Sequence, residues 1–306
     1  MKVMRKLFLG ITLLVVAAGV QAEDKLKPFI LAYKSKGDMA AVVAEVKQKL
    51  AAGGFEVVGS YSPYPTATVI AFTNEALKQN AAKSEFGGYG AAQRASVTDV
   101  KGELQVAYTN PTYMANAYRM TGDLKDVTAQ LATVLGAKEQ FGPAEGLTPA
   151  QLRKYHYMFG MEYFDDPSTL AMYPSHEKAL KAVSERLAKG IAGVTQVYRI
   201  DIPGKDETVF GVALKAPNEK KKAMDDNFIM SEIDFKPLRS SAHLPYEMLV
   251  SGRKVYALYA RFRIAINFPD LSMMGDNSFM NIMQSPDAIK NALTEVADDS
   301  YREALF

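Results

Sequence analysis

The chain has 306 residues, with 36 basic and 34 acidic side chains for a net charge of +2, and no cysteine. Disulfide frameworks, thiolate metal sites and cysteine nucleophiles are therefore excluded. Charge this evenly balanced also leaves no concentrated basic face for a nucleic-acid partner.

The first segment reads as a signal peptide over residues 1–22. Lys2, Arg5 and Lys6 precede an apolar run from Leu7 to Val20, and Val20-Gln21-Ala22 supplies the small residues of a cleavage site before Glu23. The run is shorter than the ~20 residues of a comfortable span, so no stable membrane span is expected after cleavage. Removing those three cations leaves 33 basic against 34 acidic residues in a mature chain of 284. That length suits two domains of ~100–150 residues each. The periplasm is the expected compartment, with secretion as the alternative.

Asp38 reads as the cap of a helix whose face carries Val42, Val43, Val46 and Leu50, ended by Gly53-Gly54. A strand follows at Phe55–Val58. Ser62-Pro63-Tyr64-Pro65 reads as a turn, because proline cannot sit inside a central strand. Thr68–Phe72 is a second strand, Glu75–Lys83 a short helix and Gly87-Gly88-Tyr89-Gly90 a flexible loop. Ala95–Val100 and Glu103–Tyr108 form a hairpin around Lys101-Gly102. Asp123 caps a last helix that ends at Gly136.

The same order then recurs. Ser175 caps a helix closed by Gly190, Val194–Ile200 is a strand, and Pro203-Gly204-Lys205 is a turn. Thr208-Val209 follows Thr68-Val69 by 140 residues; Tyr259 follows Tyr108 and Asn267 follows Asn116 by 151. Ser285-Pro286 opens a closing helix. The expected fold is α+β: two similar domains, each a small, mainly antiparallel sheet packed with helices, arising by internal duplication. The expected boundaries are 23–136 for the first repeat, 137–150 for a connector and 151–306 for the second repeat.

Gly54-Phe55-Glu56-Val57-Val58-Gly59, Thr68-Val69-Ile70 and Val106-Ala107-Tyr108-Thr109-Asn110-Pro111 resemble family 302 of the domains of unknown function, and Leu244-Pro245 resembles the leucine-proline before that family's late hairpin. The resemblance spans most of the mature chain as a tandem. It implies compact α+β units and no established reaction or cofactor. The second unit departs from the pattern, with Ala260-Arg261-Phe262 where the first has Thr109-Asn110-Pro111.

No constellation specifies a reaction. His243, with Ser240 or Ser241 and Asp234, is the weak catalytic candidate of a hydrolase-like alternative. No Gly-x-Ser-x-Gly elbow is present, and His176-Glu177 lacks the second histidine of a zinc-protease helix. Met273, Met274, Met280 and Met283 are weak soft-metal candidates, with core or interface filling as the plainer reading. No cofactor is expected. Alternation places Arg261 and Arg263 on one face of an apolar strand, where forked hydrogen bonds could hold a carboxylate or phosphate, or where two salt bridges could form.

The leading expectation is non-catalytic binding of a small apolar or anionic ligand, or of an envelope partner. The contacts would be Tyr108, Asn110, Tyr113, Asn116 and Arg119 in the first unit and His243, Tyr259, Arg261, Arg263 and Asn267 in the second. The alternative is an assembly module in which those side chains pack the units together or form a homodimer face.

Overall fold

The structure is a computed structural model that describes residues 24–301; the leader expected over 1–22 lies outside the described residues. The first half runs β1 (Phe29–Ser35), α1 (Met39–Ala52), β2 (Glu56–Tyr64), β3 (Ala67–Thr73), α2 (Glu75–Ala82), β4 (Gln93–Val100), β5 (Glu103–Thr109), α3 (Pro111–Ala117) and α4 (Lys125–Leu135). A passage with β6 (Glu139–Phe141) and α5 (Pro149–Arg153) leads to the second half. There follow β7 (Ser168–Met172), α6 (His176–Ala188), β8 (Val194–Asp201), β9 (Glu207–Leu214), α7 (Asp226–Ile233), β10 (Tyr246–Ser251), β11 (Lys254–Ala257), α8 (Ala260–Asn267) and α9 (Ser285–Ala297).

The strands form two antiparallel sheets packed with helices, of order β2-β3-β4-β5-β1-β6 and β7-β11-β10-β9-β8. Without β6 the two orders are the same arrangement read from opposite ends. The irregularities agree as well. Val58 bulges from β2 as Val197 does from β8, and Ala32 from β1 as Leu170 does from β7. The two halves therefore share one topology.

Local chemistry explains the elements. Asp38 accepts a hydrogen bond from Ala41 N at 2.8 Å and starts α1, which buries Val42, Val46 and Leu50 along one stripe. α1 stops at Gly53, where a Cβ would lie 2.3 Å from Val134 of α4. β1 is apolar over Phe29–Ala32 because both its faces are covered there: Ile30 and Ala32 join the core under the helices, while Phe29 and Leu31 pack with Phe141 and Ala242.

Several expectations change. Each unit begins with a strand, β1 or β7, before its capped helix. The expected connector supplies β6 to the first sheet, and the second sheet begins only at Ser168. Pro63 is a strand residue, not part of a turn. β2 is an edge strand whose register shifts between Tyr61 and Tyr64, so the missing N–H costs no ladder bond. The Gly87–Gly90 loop is a buried 3-10 turn. Arg261 and Arg263 lie on α8 rather than on a strand, and two residues along a helix turn about 200°, so the two side chains part company. Tyr108 does not correspond to Tyr259. Aligned on the bulges, Thr98–Gln105 of the first hairpin matches Ser251–Lys254 of the second, whose turn is tighter, so Tyr108 matches Ala257.

The halves meet through reciprocal contacts. Gly59 of β2 lies against β8, where a Cβ would sit 2.1 Å from the Val197 carbonyl oxygen. The 3-10 turn Gly87–Gly90 lies on the second sheet, with Gly88 N donating to Glu207 Oε1 at 2.7 Å. The 3-10 turn Ser241–His243 lies on the first sheet: Ser241 Oγ is 3.0 Å from Thr98 Oγ1, and Arg94 Nε donates to the Ala242 carbonyl at 3.2 Å. Each half thus offers the same kind of turn to the other, as in a two-fold interface.

Candidate functional site

The side chains singled out in the sequence divide into two groups. Most are interior. The Tyr108 hydroxyl donates to Gly136 O at 3.0 Å, and burial raises its pKa. Asn110 caps α3 and donates to Lys27 O and Gln140 Oε1, each at 3.0 Å. Tyr113 is fully buried and donates to Ile266 O at 2.6 Å, tying α3 to α8. Asn116 and Asn267 each donate to the carbonyl one turn earlier, Thr112 and Arg263, at 2.8 Å. These contacts hold helices together, and of these residues Asn267 alone borders a crevice, beside Asp234 and Lys236.

His243 belongs to the same interior. It is 0 % exposed, its Nε2 lies 3.3 Å from the Tyr246 hydroxyl, and its Nδ1 has no partner among the described residues. Burial, with Arg263 and Arg94 nearby, lowers its pKa and keeps the ring neutral. Asp234 instead accepts from Ser240 N at 2.8 Å and from Ser241 Oγ at 3.4 Å. The imidazole does not stand between serine and acid, so the Ser-His-Asp arrangement is not assembled.

Arg263 is 1 % exposed, and its guanidinium donates to His243 O at 2.7 Å. Its Nε lies 3.2 Å from Glu247 Oε2, while Arg94 Nη1 lies 2.6 Å from Glu247 Oε1. One carboxylate thus sits between two buried arginines at the seam of the halves. Desolvation opposes the Arg263 charge, but Glu247 and the neighbouring tyrosines outweigh it and raise the pKa.

The second group opens to solvent. Arg261 lies on the outer face of α8 and forms a forked pair with Glu162, with Nε 3.3 Å from Oε2. Glu162 belongs to a strap, residues 154–167, that crosses from α5 to β7. The strap is fastened at four points: the Tyr155 hydroxyl donates to Ala265 O at 3.1 Å, Glu162 pairs with Arg261, Asp165 pairs with Arg119, and Phe164 is inserted as a 3 % exposed plug. The Phe164 ring stacks on Tyr118 at 5.3 Å and lies 6.3 Å from Tyr89 and from Phe262. Arg119 and Arg261, two of the three arginines singled out in the sequence, both anchor this strap.

Beneath the strap runs a narrow apolar groove with about 20 Å³ of free space. Tyr157 and Met161 form its roof, Ile264, Ala265 and Phe268 of α8 its floor, and Leu271, Met273 and Phe279 its far wall. Arg261 is the one charged residue in this lining. The backbone holds the far wall together, with Phe279 N donating to Ser272 O at 2.8 Å and Met280 N to Met273 O at 3.2 Å. Met273, Met274, Met280 and Met283 are exposed at 40 to 71 %, and Phe159 at the strap's tip is fully exposed. Flexible thioethers beside a groove let its walls adapt to a guest. Among the described residues no histidine–carboxylate cluster is arranged to hold a metal ion.

At the mouth, Tyr259 is half-buried, its ring 5.8 Å from the Arg261 guanidinium and 5.7 Å from Lys290 Nζ. The two arginines expected on one strand face are instead Arg261, beside a tyrosine at a helix start, and Arg263, in the interior. Glu162, Phe164 and Lys290 were missed in the sequence. Only the alternation of Met161-Glu162-Tyr163-Phe164 hinted at an anchored segment.

The fold and site define a two-unit α+β protein with an apolar groove roofed by its inter-unit strap. No family model and no curated protein matches the chain. A crystal structure of an uncharacterized conserved protein of domain-of-unknown-function family 302 from Bacillus stearothermophilus is similar to it. That likeness has 16% sequence identity and a TM-score of 0.30, over 34% of this chain and 94% of the other. No helix among the described residues is long and apolar enough to cross a membrane.

Proposed function

We propose that this is an exported, non-catalytic binding protein that takes a small apolar ligand in the groove beneath residues 154–167. Tandem units of the family-302 type would form its scaffold, a reading supported by the shared strand order and bulges. The observation that carries the binding reading is the groove itself. It is apolar on floor and walls and bounded by two methionines and a strap, and with about 20 Å³ of free space it takes a ligand only when the strap lifts. The buried residues at the seam serve the scaffold. The basic leader, its apolar run and the small residues before Glu23 support export to the periplasm.

The test is titration with the apolar fluorophore N-phenyl-1-naphthylamine, which the absence of tryptophan makes clean to read. Saturable binding that weakens about tenfold in Leu271→Arg, a half-exposed wall residue, is expected. No binding, or equal binding by the variant, would remove this reading. Native mass spectrometry of protein taken from the periplasm would show a ligand as added mass, and a dimer would assign the methionine rim to an interface.

A further inference from the structure

We infer that the hollow between the tip of the β2–β3 turn and the end of α7 binds a hydroxylated carboxylate of the sugar-acid class, with Arg239 taking the carboxylate. This is a second site, separate from the groove beneath the strap.

The two ends of the seam match except for one carboxylate. At one end Lys205, in the β8–β9 turn, donates to Ser84 O just past α2 at 2.5 Å, and the Glu207 carboxylate lies 3.8 Å from the same ammonium. At the other end Arg239 donates to Asp234 O just past α7. Ala67 begins β3 as Glu207 begins β9, and it pairs with Thr98 as Glu207 pairs with Ser251. Ala67 brings no carboxylate, and half-buried Arg239 makes no ion pair among the described residues. A partly desolvated guanidinium without an anion favours one from solution, and its fork suits a carboxylate.

The space for that anion is open. Tyr64, Thr66 and Asp99 of the first unit face Asn227, Phe235 and Arg239 of the second across a hollow with about 320 Å³ of free space. Junctions between units are frequent places for small-molecule sites.

The rest of the wall calls for hydroxyls. Asp234 turns its oxygens to Ser240 N at 2.8 Å and Ser241 Oγ at 3.4 Å. Asp99 gives one oxygen to Gly102 N at 2.7 Å and keeps the other for a hydroxyl donor. A bare organic acid would leave that second carboxylate opposed, whereas a polyol turns it into an acceptor. The Asn227 amide and the Thr66 hydroxyl are exposed and have no partner among the described residues, so both are free to bond a polyol. Phe235 is 46 % exposed with no ring partner among them, and offers an apolar face to the C–H side of a sugar ring.

The experiment titrates glucuronate, glucose and benzoate by calorimetry into the wild type, Arg239→Gln, Asn227→Ala and Thr66→Glu. Glucuronate should bind the wild type about tenfold more tightly than glucose or benzoate. Arg239→Gln should remove that advantage over glucose. Asn227→Ala, at an exposed position, should weaken glucuronate and glucose about threefold and leave benzoate unchanged. Arg239 also fastens the loop after α7, so Thr66→Glu is the variant that spares it. This change puts a carboxylate on the exposed rim and should weaken glucuronate about tenfold with thermal unfolding unaltered. Equal affinity for glucuronate and glucose, or full glucuronate affinity in Arg239→Gln, would overturn the role of Arg239. Benzoate binding as tightly as glucuronate would overturn the hydroxylated class. Absence of glucuronate binding would overturn the site, and the fluorophore titration of the groove would stand apart from that result.

Discussion

Arg94 and Glu247 occupy matching positions in the two sheets and meet each other. Arg94 pairs with Ala71 in the first sheet, Glu247 with Gly211 in the second, and their side chains touch at 2.6 Å with 1% exposure each. Contact between matching positions marks the centre of the reciprocal seam. Because Glu247 also serves Arg263, it is the more critical partner. Glu247→Gln should destabilise the protein by about 3–5 kcal/mol, and by more than Arg94→Met, since it leaves two buried cations unbalanced. Urea unfolding of the two variants measures the order.

The seam also sets a pH dependence. Burial raises the pKa of Asp226 to about 7, even though it accepts from Leu214 N and the Tyr61 hydroxyl, and raises that of Asp234 to about 6. A carboxyl raised in the folded state adds stability when protonated, and that stability is lost as pH rises through its folded pKa. Buried neutral His243 acts the other way: its contribution fades as pH falls below the ordinary histidine value. Asp226→Asn should therefore change the stability difference between pH 8 and pH 5.5 by on the order of 2 kcal/mol relative to wild type. An unchanged difference would show that Asp226 does not titrate there.

Close approach at the seam depends on Gly59. A Cβ would meet the Val197 carbonyl, which belongs to the backbone and has little room to give. Gly59→Ala should cost about 1–3 kcal/mol by overpacking. Gly102→Ala, at a turn with φ of +84° and open space around it, should cost about 1 kcal/mol through conformation alone. Thermal unfolding of both separates the two causes.

The strap depends on its aromatic plug. Phe164→Ala removes a buried ring from among Tyr118, Tyr89 and Phe262. Truncation of a buried phenylalanine costs about 3–5 kcal/mol where the surroundings cannot collapse. Here the segment can lift instead, so cleavage within residues 156–163 by chymotrypsin should accelerate more than global unfolding does. Proportionate change in both would place Phe164 in the cooperative core.

Much of the fold was legible in the sequence because it rests on local signals. Asp38 and Ser175 do cap helices, and Pro286 does open α9. The errors came where a local rule met a non-local fact. Pro63 was set aside as turn because nothing local says that its strand lies at an edge. Arg261-Phe262-Arg263-Ile264 alternates like a strand, yet it lies on a helix packed between the halves. The tyrosines Tyr108 and Tyr259 seemed to match because a tighter second hairpin shifted the count.

The sequence by itself determined the α+β class, the repeated order of elements and the absence of thiol chemistry, since periodicity, capping and composition act over short stretches of chain. The tertiary structure alone decided what the charged and aromatic side chains do. Arg263 became interior and Arg261 the edge of a groove because packing, not sequence spacing, sets which face of α8 is covered. Glu162 lies 99 residues from Arg261 along the chain, and only the folded strap brings them together.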